Sequence, residues 1–124
     1  MKFVFNHSNI NVANMARSVA FYEQSLGLTV QRRVDASDGS FTLVFMGDDV
    51  TSHRLELTWL RDHEGSYDLG DNESHLCFST DDIDAARKHH ESMGCVSYVN
   101  EAMSLYFIED PDGYWTEIVP GKPD

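Results

Sequence analysis

The apolar positions of this chain fall into two successive sets that share one order. In the first, Phe3 to Val12 reads as extended, and Met15, Val19, Tyr22 and Leu26 then recur at the steps of one helix face. Asn14 offers a cap for that helix and Gly27 a terminator. Three strand-like runs follow, near Leu28 to Val34, Ser40 to Met46 and His53 to Leu60, with Asp38-Gly39 and Gly47-Asp48-Asp49 as turn signals between them. The polar stretch Arg61 to Asn72, RDHEGSYDLGDN, then breaks the pattern. Beyond it the plan repeats: His75 to Thr80 is extended, and Ile83, Ala86, His90 and Met93 fall at helical steps before Gly94. Short strand-like runs close the chain at Cys95 to Val99, Ser104 to Ile108 and Tyr114 to Val119, with Asp110-Pro111-Asp112-Gly113 turning between the last two.

His7 precedes Gly27 by 20 positions and His75 precedes Gly94 by 19, so the halves read as a duplicated module. Two copies are too few for a solenoid, and two modules sharing one sheet is the better expectation. The predicted fold class is α+β: two βαβββ modules forming a cupped mixed sheet with helices on the outer face. The expected organisation is a single domain over 1–124, with module one at about 1–60, a linker at 61–72 and module two at about 73–124.

Duplication places His7 and His75 in the first strands of their modules, and Glu56 and Glu117 in the last. Side chains alternate across a strand, which tests whether these four can share a face. Ile10 and Val12 oppose His7, Leu55 and Leu57 flank Glu56, Leu76 and Phe78 oppose His75, and Ile118 opposes Glu117. The weak case is the last strand, where Trp115 has the parity of Glu117 and Thr116 does not look like core. With helices on the apolar face, the other face would carry His7, Asn9, Asn11, Glu56, Thr58, His75, Cys77 and Glu117.

At 124 residues with 41% hydrophobic positions, the chain has the material for one core. Its apolar runs fall far short of the roughly 20 residues a membrane helix needs, and its opening residues lack a signal-peptide apolar region, which points to a soluble, cytoplasmic protein. Nine Lys and Arg against 21 Asp and Glu give a formal charge of -12, which repels phosphate backbones and anionic lipid. Neither nucleic acid nor membrane is an expected partner. Cys77 and Cys95 are expected as buried thiols rather than a disulfide.

A carboxylate set against a sheet is costly unless paired or metal-bound, and here two occur with two histidines of matching position. Taken singly, a strand His is usually a hydrogen-bonded structural residue and a strand Glu usually meets solvent. Taken jointly, two imidazoles and two carboxylates suit a divalent first-row metal in a roughly octahedral shell with room for water or substrate. Other candidates are poorer. His89 and His90 are adjacent on a helix and point about 100° apart, so solvated or partly packed roles are expected. His53 and His63 are expected to face solvent, Cys77 lacks a positive neighbour to activate it, and neither GxGxxG nor a P-loop is present.

The run His7-Ser8-Asn9-Ile10-Asn11-Val12, then Arg17-Ser18-Val19-Ala20-Phe21-Tyr22 and Leu26-Gly27-Leu28, resembles the opening of the glyoxalase I (lactoylglutathione lyase) family. Leu55-Glu56-Leu57-Thr58, Tyr67-Asp68-Leu69-Gly70, His75-Leu76 and Glu109-Asp110-Pro111-Asp112-Gly113-Tyr114, continuing to Glu117, look like its later motifs in the same order. The wider vicinal oxygen chelate superfamily also holds extradiol dioxygenases, fosfomycin-modifying transferases, an epimerase and metal-free antibiotic-binding proteins. Glu56 narrows the choice, because the dioxygenase and fosfomycin patterns usually pair two His with one Glu. His7, Glu56, His75 and Glu117 match the glyoxalase metal set residue by residue. Two positions depart: Asn11 stands where glutathione-using bacterial members usually carry Arg, and Leu60 where they usually carry Asn.

What the resemblance implies is isomerisation of a methylglyoxal-thiol hemithioacetal to an S-lactoyl thioester. A divalent metal would bind the substrate oxygens, with Glu117 as first choice for the base and Glu56 as its partner; the residues alone do not decide between them. Asn11 is the expected substrate-binding position. By analogy with short bacterial members, Ni²⁺ or Co²⁺ is expected in preference to Zn²⁺, and a homodimer is expected. Two rivals remain: another metalloenzyme of the superfamily, such as a dioxygenase or epimerase, and a metal-free small-molecule-binding protein.

Overall fold

The computed structural model describes residues 1–121, and two compact units emerge in it, Met1–Tyr67 and a second beginning at Asp68. Each unit builds the same βαβββ sequence of elements.

In the first unit these are β1 (His7–Asn11), α1 (Met15–Leu26), β2 (Thr29–Asp35), β3 (Phe41–Gly47) and β4 (Arg54–Leu60). Asn14 caps α1 by accepting from the Arg17 amide at 3.0 Å. Gly27 ends it with φ of 66°, a conformation that only glycine adopts without steric cost. The Gly27 and Leu28 amides then return to the Glu23 and Tyr22 carbonyls, and the buried Leu28 seals the turn. The sheet order is β1-β4-β3-β2, with β1 parallel to β4 and the remaining pairs antiparallel. α1 packs against β4. Ile10, Val12, Tyr22, Leu28, Val44, Met46, Leu55 and Leu57 are buried there. The helix face that goes deepest is centred on Ser18, Tyr22 and Ser25, while Met15, Val19 and Leu26 stay half-buried on its flanks. The small serines let the helix backbone approach the sheet, a feature that hydrophobic spacing does not register.

The second unit contains β5 (Leu76–Thr80), α2 (Ile83–Ser92), β6 (Val96–Asn100), β7 (Leu105–Glu109) and β8 (Trp115–Pro120). Its order, β5-β8-β7-β6, repeats the first, again with a parallel β5–β8 pair. Asp82 caps α2 through the Ala85 amide, and the helix packs on β6, β7 and β8. The eight strands of the described residues form two four-stranded mixed sheets, one per unit, the α+β architecture of two βαβββ modules that the repeat predicts. In each unit the first strand pairs in parallel with the last and forms one edge of the sheet.

The turn before β8 is held by Asp110, whose Oδ1 accepts from the amides of Asp112 and Tyr114 at 2.8 and 2.9 Å. Gly113 sits at φ of 93° there, and its carbonyl accepts from the Asn72 amide group. Thr116, the doubtful core position, is buried, and Trp115 lies half-buried on the face of Glu117, which resolves the parity of the last strand. Strand β1 begins at His7; Phe3, Val4 and Phe5 before it are exposed and outside any strand, shorter than the extended run their apolar character suggests. No helix among the described residues is long and apolar enough to cross a membrane.

Candidate metal centre

In the first unit, His7 opens β1 opposite Arg54, and Glu56 stands two positions further along β4 on the face turned away from α1. The parity is enforced by Leu55 and Leu57, which are buried on the helix side. His7 Nδ1 donates to Asn6 Oδ1 at 2.6 Å, which leaves the lone pair of Nε2 toward the carboxylate, 3.9 Å from Glu56 Oε2. The imidazole also meets Phe45 edge-on, ring centres 5.5 Å apart. Glu56 Oε1 in turn accepts from Asn9 Nδ2 at 2.7 Å and from Thr58 Oγ1 at 3.3 Å.

The second unit repeats this arrangement. His75, one residue before β5, donates from Nδ1 to the Glu73 carbonyl at 2.7 Å. Its Nε2 lies 3.6 Å from Oε1 of Glu117 in β8, and its ring meets Phe107 edge-on at 5.1 Å. Here the partner of the carboxylate is Cys77, paired with Glu117 across the strands. Partial burial of the sulfur, then its bond to Glu117 and that group's negative charge, push the Cys77 thiol up to about 11. Cys77 as a residue is nevertheless exposed and Cys95 half-buried, both free, so the expectation of two buried thiols fails for Cys77: it belongs to the polar face of β5.

The correspondence runs across whole sheets. In the first, Asn9, Glu56, Phe45 and Arg32 stand in one register row; in the second, Cys77, Glu117, Phe107 and Tyr98 do. Both rows end just past an irregularity, between Val30 and Arg32 and between Val96 and Tyr98. Such bulges re-aim a side chain. Arg32 carries its guanidinium over the Phe45 ring at 5.6 Å, and Tyr98 lies against Phe107 at 6.2 Å. Asn11, the expected substrate-binding position, ends β1 half-buried opposite Thr58.

The structure therefore joins His7 to Glu56 and His75 to Glu117. Separations of 3.9 and 3.6 Å are too long for hydrogen bonds and are spanned by two atoms each about 2.1 Å from a common ion. Imidazole nitrogen with carboxylate oxygen is donor chemistry for a divalent first-row metal, and each imidazole has the outer partner that metal-binding histidines carry. Among the described residues no group of three or more His, Cys, Asp or Glu is gathered to hold an ion, and each unit presents one His–Glu pair. Sequence reasoning did not single out Asn6, Phe45, Phe107, Arg32 or Tyr98. The bulges that aim the last two leave no mark in hydrophobic alternation, whereas Asn6 was available as the neighbour of His7.

The remaining histidines have other work. His53 bonds Ser8 and packs on Phe5, His63 stacks on Tyr67, and His90 is buried with Nδ1 2.6 Å from the Tyr106 hydroxyl. His90 was expected to be solvated or partly packed; its place on the α2 core stripe takes it fully inside.

Residues 4–118 match the family described as the Glyoxalase/Bleomycin resistance protein/Dioxygenase superfamily, and the chain belongs to it. A lactoylglutathione lyase of Neisseria meningitidis is 37% identical over 94% of this chain and 89% of its own length. One from Pseudomonas aeruginosa is 34% identical over 95% of this chain and 82% of its own length. Among solved structures, a glyoxalase I of Leishmania major, described as trypanothione-dependent, superposes with a TM-score of 0.86 at 29% identity, covering 96% of this chain and 87% of that one.

Proposed function

We propose that the chain is a glyoxalase I-like lyase that converts the hemithioacetal of methylglyoxal and a thiol into the S-lactoyl thioester. The observation that carries this reading is the repeated His–Glu pair, each imidazole turned by an acceptor on Nδ1 so that Nε2 faces the carboxylate. Likeness to lactoylglutathione lyases over nearly the whole of both chains supports it. His7, Glu56, His75 and Glu117 are the proposed ligands of a divalent ion, Ni²⁺ or Co²⁺ in preference to Zn²⁺, held in a homodimeric, cytoplasmic enzyme. The ion would supply Lewis-acid stabilisation of charge developing on adjacent substrate oxygens.

The rest of the work falls to the chain. Substrate and product are isomers: one proton leaves the carbon bonded to sulfur and hydroxyl and one is delivered to the neighbouring carbonyl carbon, while the hydroxyl proton is exchanged for one on the neighbouring oxygen. Glu117 is assigned as the group that carries it, with Glu56 as its partner. Phe45, Phe107 and Trp115 line the two faces with apolar surface that limits water around the carboxylates. Asn11 is assigned to the thiol-bearing portion of the substrate.

The test strips the protein with chelator, restores Ni²⁺, Co²⁺, Zn²⁺ or Fe²⁺ singly, and follows thioester absorbance with methylglyoxal and glutathione or other thiols. Thioester formation that depends on added ion and is lost in His7→Ala and Glu117→Gln is the expected result. Its absence with every ion and thiol removes the assignment. Oxygen uptake with Fe²⁺ would favour a dioxygenase, and ligand binding in chelator a metal-free binding protein.

A further inference from the structure

The two carboxylates occupy matching places and are held by very different means. Glu56 Oε1 accepts from Asn9 Nδ2 at 2.7 Å and Thr58 Oγ1 at 3.3 Å, and Asn9 Nδ2 also approaches Thr58 Oγ1 at 2.6 Å. Asn9 and Thr58 stand on adjacent strands on the same face as Glu56, so the three side chains form a closed clamp. In the second unit the register puts Cys77 where Asn9 stands and Val119 where Thr58 stands. A thiol is a weak donor, and valine has none. The Glu117 side chain is correspondingly more open, 21% accessible against 14% for Glu56.

Resting on the metal-centre reading above, we infer that Asn9 and Thr58 are positioning residues that fix Glu56, and that Cys77 and Val119 leave Glu117 free to move. The inequality is built into a scaffold that is otherwise duplicated, since each imidazole has an oxygen acceptor on Nδ1 and meets a phenylalanine edge-on. A carboxylate with two fixed donors on one oxygen has its other oxygen aimed, which favours holding an ion; one with a single weak donor reorients at little cost. The first half of the site holds, and the second half yields.

Outer partners of metal ligands typically govern affinity by about 10–100-fold. Ion affinity is measured by competition with a chromophoric chelator, and the Co²⁺ form is followed by its visible absorption, neither of which needs turnover. Asn9→Leu, close in size and lacking the donor, is expected to weaken ion binding by about tenfold or more and to shift the Co²⁺ spectrum, whereas Cys77→Ala changes affinity by less than about threefold. The complementary variant Cys77→Asn with Val119→Thr installs the missing donors; it is expected to bind the ion more tightly and to lower kcat with KM unchanged. Both variants are checked for wild-type unfolding midpoints, and the second keeps the proposal falsifiable if the first folds poorly.

Equal losses for Asn9→Leu and Cys77→Ala, or a transplanted clamp that alters neither ion affinity nor kcat, overturn the proposal while leaving the lyase assignment standing. The predicted inequality in a protein that makes no thioester supports the clamp and removes the lyase reading. A protein that binds no divalent ion at all overturns both.

Discussion

Removing the hydroxyl of Tyr106 isolates one buried interaction in the second unit. Tyr106 and His90 are 1% and 3% exposed, and the hydroxyl lies 2.6 Å from His90 Nδ1. Burial raises the Tyr106 pKa well above its ordinary value, so the phenol keeps its proton within this short contact. The net worth of such a bond is only about 1 kcal/mol, but a buried group left without its partner costs about 1–3 kcal/mol. Tyr106→Phe and His90→Phe are each expected to cost about that amount, because each takes from the other group its short buried contact. The double substitution removes both polar ends, and its cost is expected to fall short of the sum by about 1–2 kcal/mol. Because the chain forms two compact units, a global melting curve mixes their responses. Native-state hydrogen exchange of the β7 and β8 amides reports the second unit directly. Costs that add to within about 0.3–0.5 kcal/mol would refute the coupling and show the short contact to be incidental packing.

Further outcomes follow from the site. Glu56→Gln is expected to lower ion affinity or turnover; titration and rate both at wild-type values would place Glu56 outside the centre. Phe107→Leu removes the ring against which His75, Tyr98 and Trp115 pack, so it is expected to cost about 1–2 kcal/mol in urea unfolding and to weaken ion binding several-fold. Unchanged ion binding would mean that the Glu73 carbonyl alone orients His75. The bonds from Arg33 and then Thr42 hold the Asp35 carboxyl below its ordinary value of 3.8. The unfolded chain then binds the proton first, so the stabilisation is full above that value and is lost as pH falls below it. Asp35→Asn is expected to flatten the urea midpoint over that acid range, and an unaltered profile would refute it.

Much of this architecture was legible because it is written in spacing. The cap at Asn14, the stop at Gly27 and the alternation Leu55-Glu56-Leu57 each follow from local geometry, and the structure places all three as expected. The internal repeat carried further, since it paired His7 with His75 and Glu56 with Glu117 before any coordinates were known. What escaped depends on contacts between elements. Serines 18 and 25 are buried because a helix needs close approach, and no hydrophobicity pattern marks them. Phe45 was not singled out within its strand-like run, yet it faces away from Val44 and Met46 and supports His7.

The ends of the two register rows differ: a guanidinium over Phe45 in one unit, a phenol against Phe107 in the other. Both units keep an imidazole beside a carboxylate and edge-on to a phenylalanine, while the outermost residue of each row differs. Arg32 and Tyr98 are both exposed at the ends of their rows, so the border of each polar face can change its charge and hydrogen-bonding character while the His–Glu pair behind it keeps its own supports.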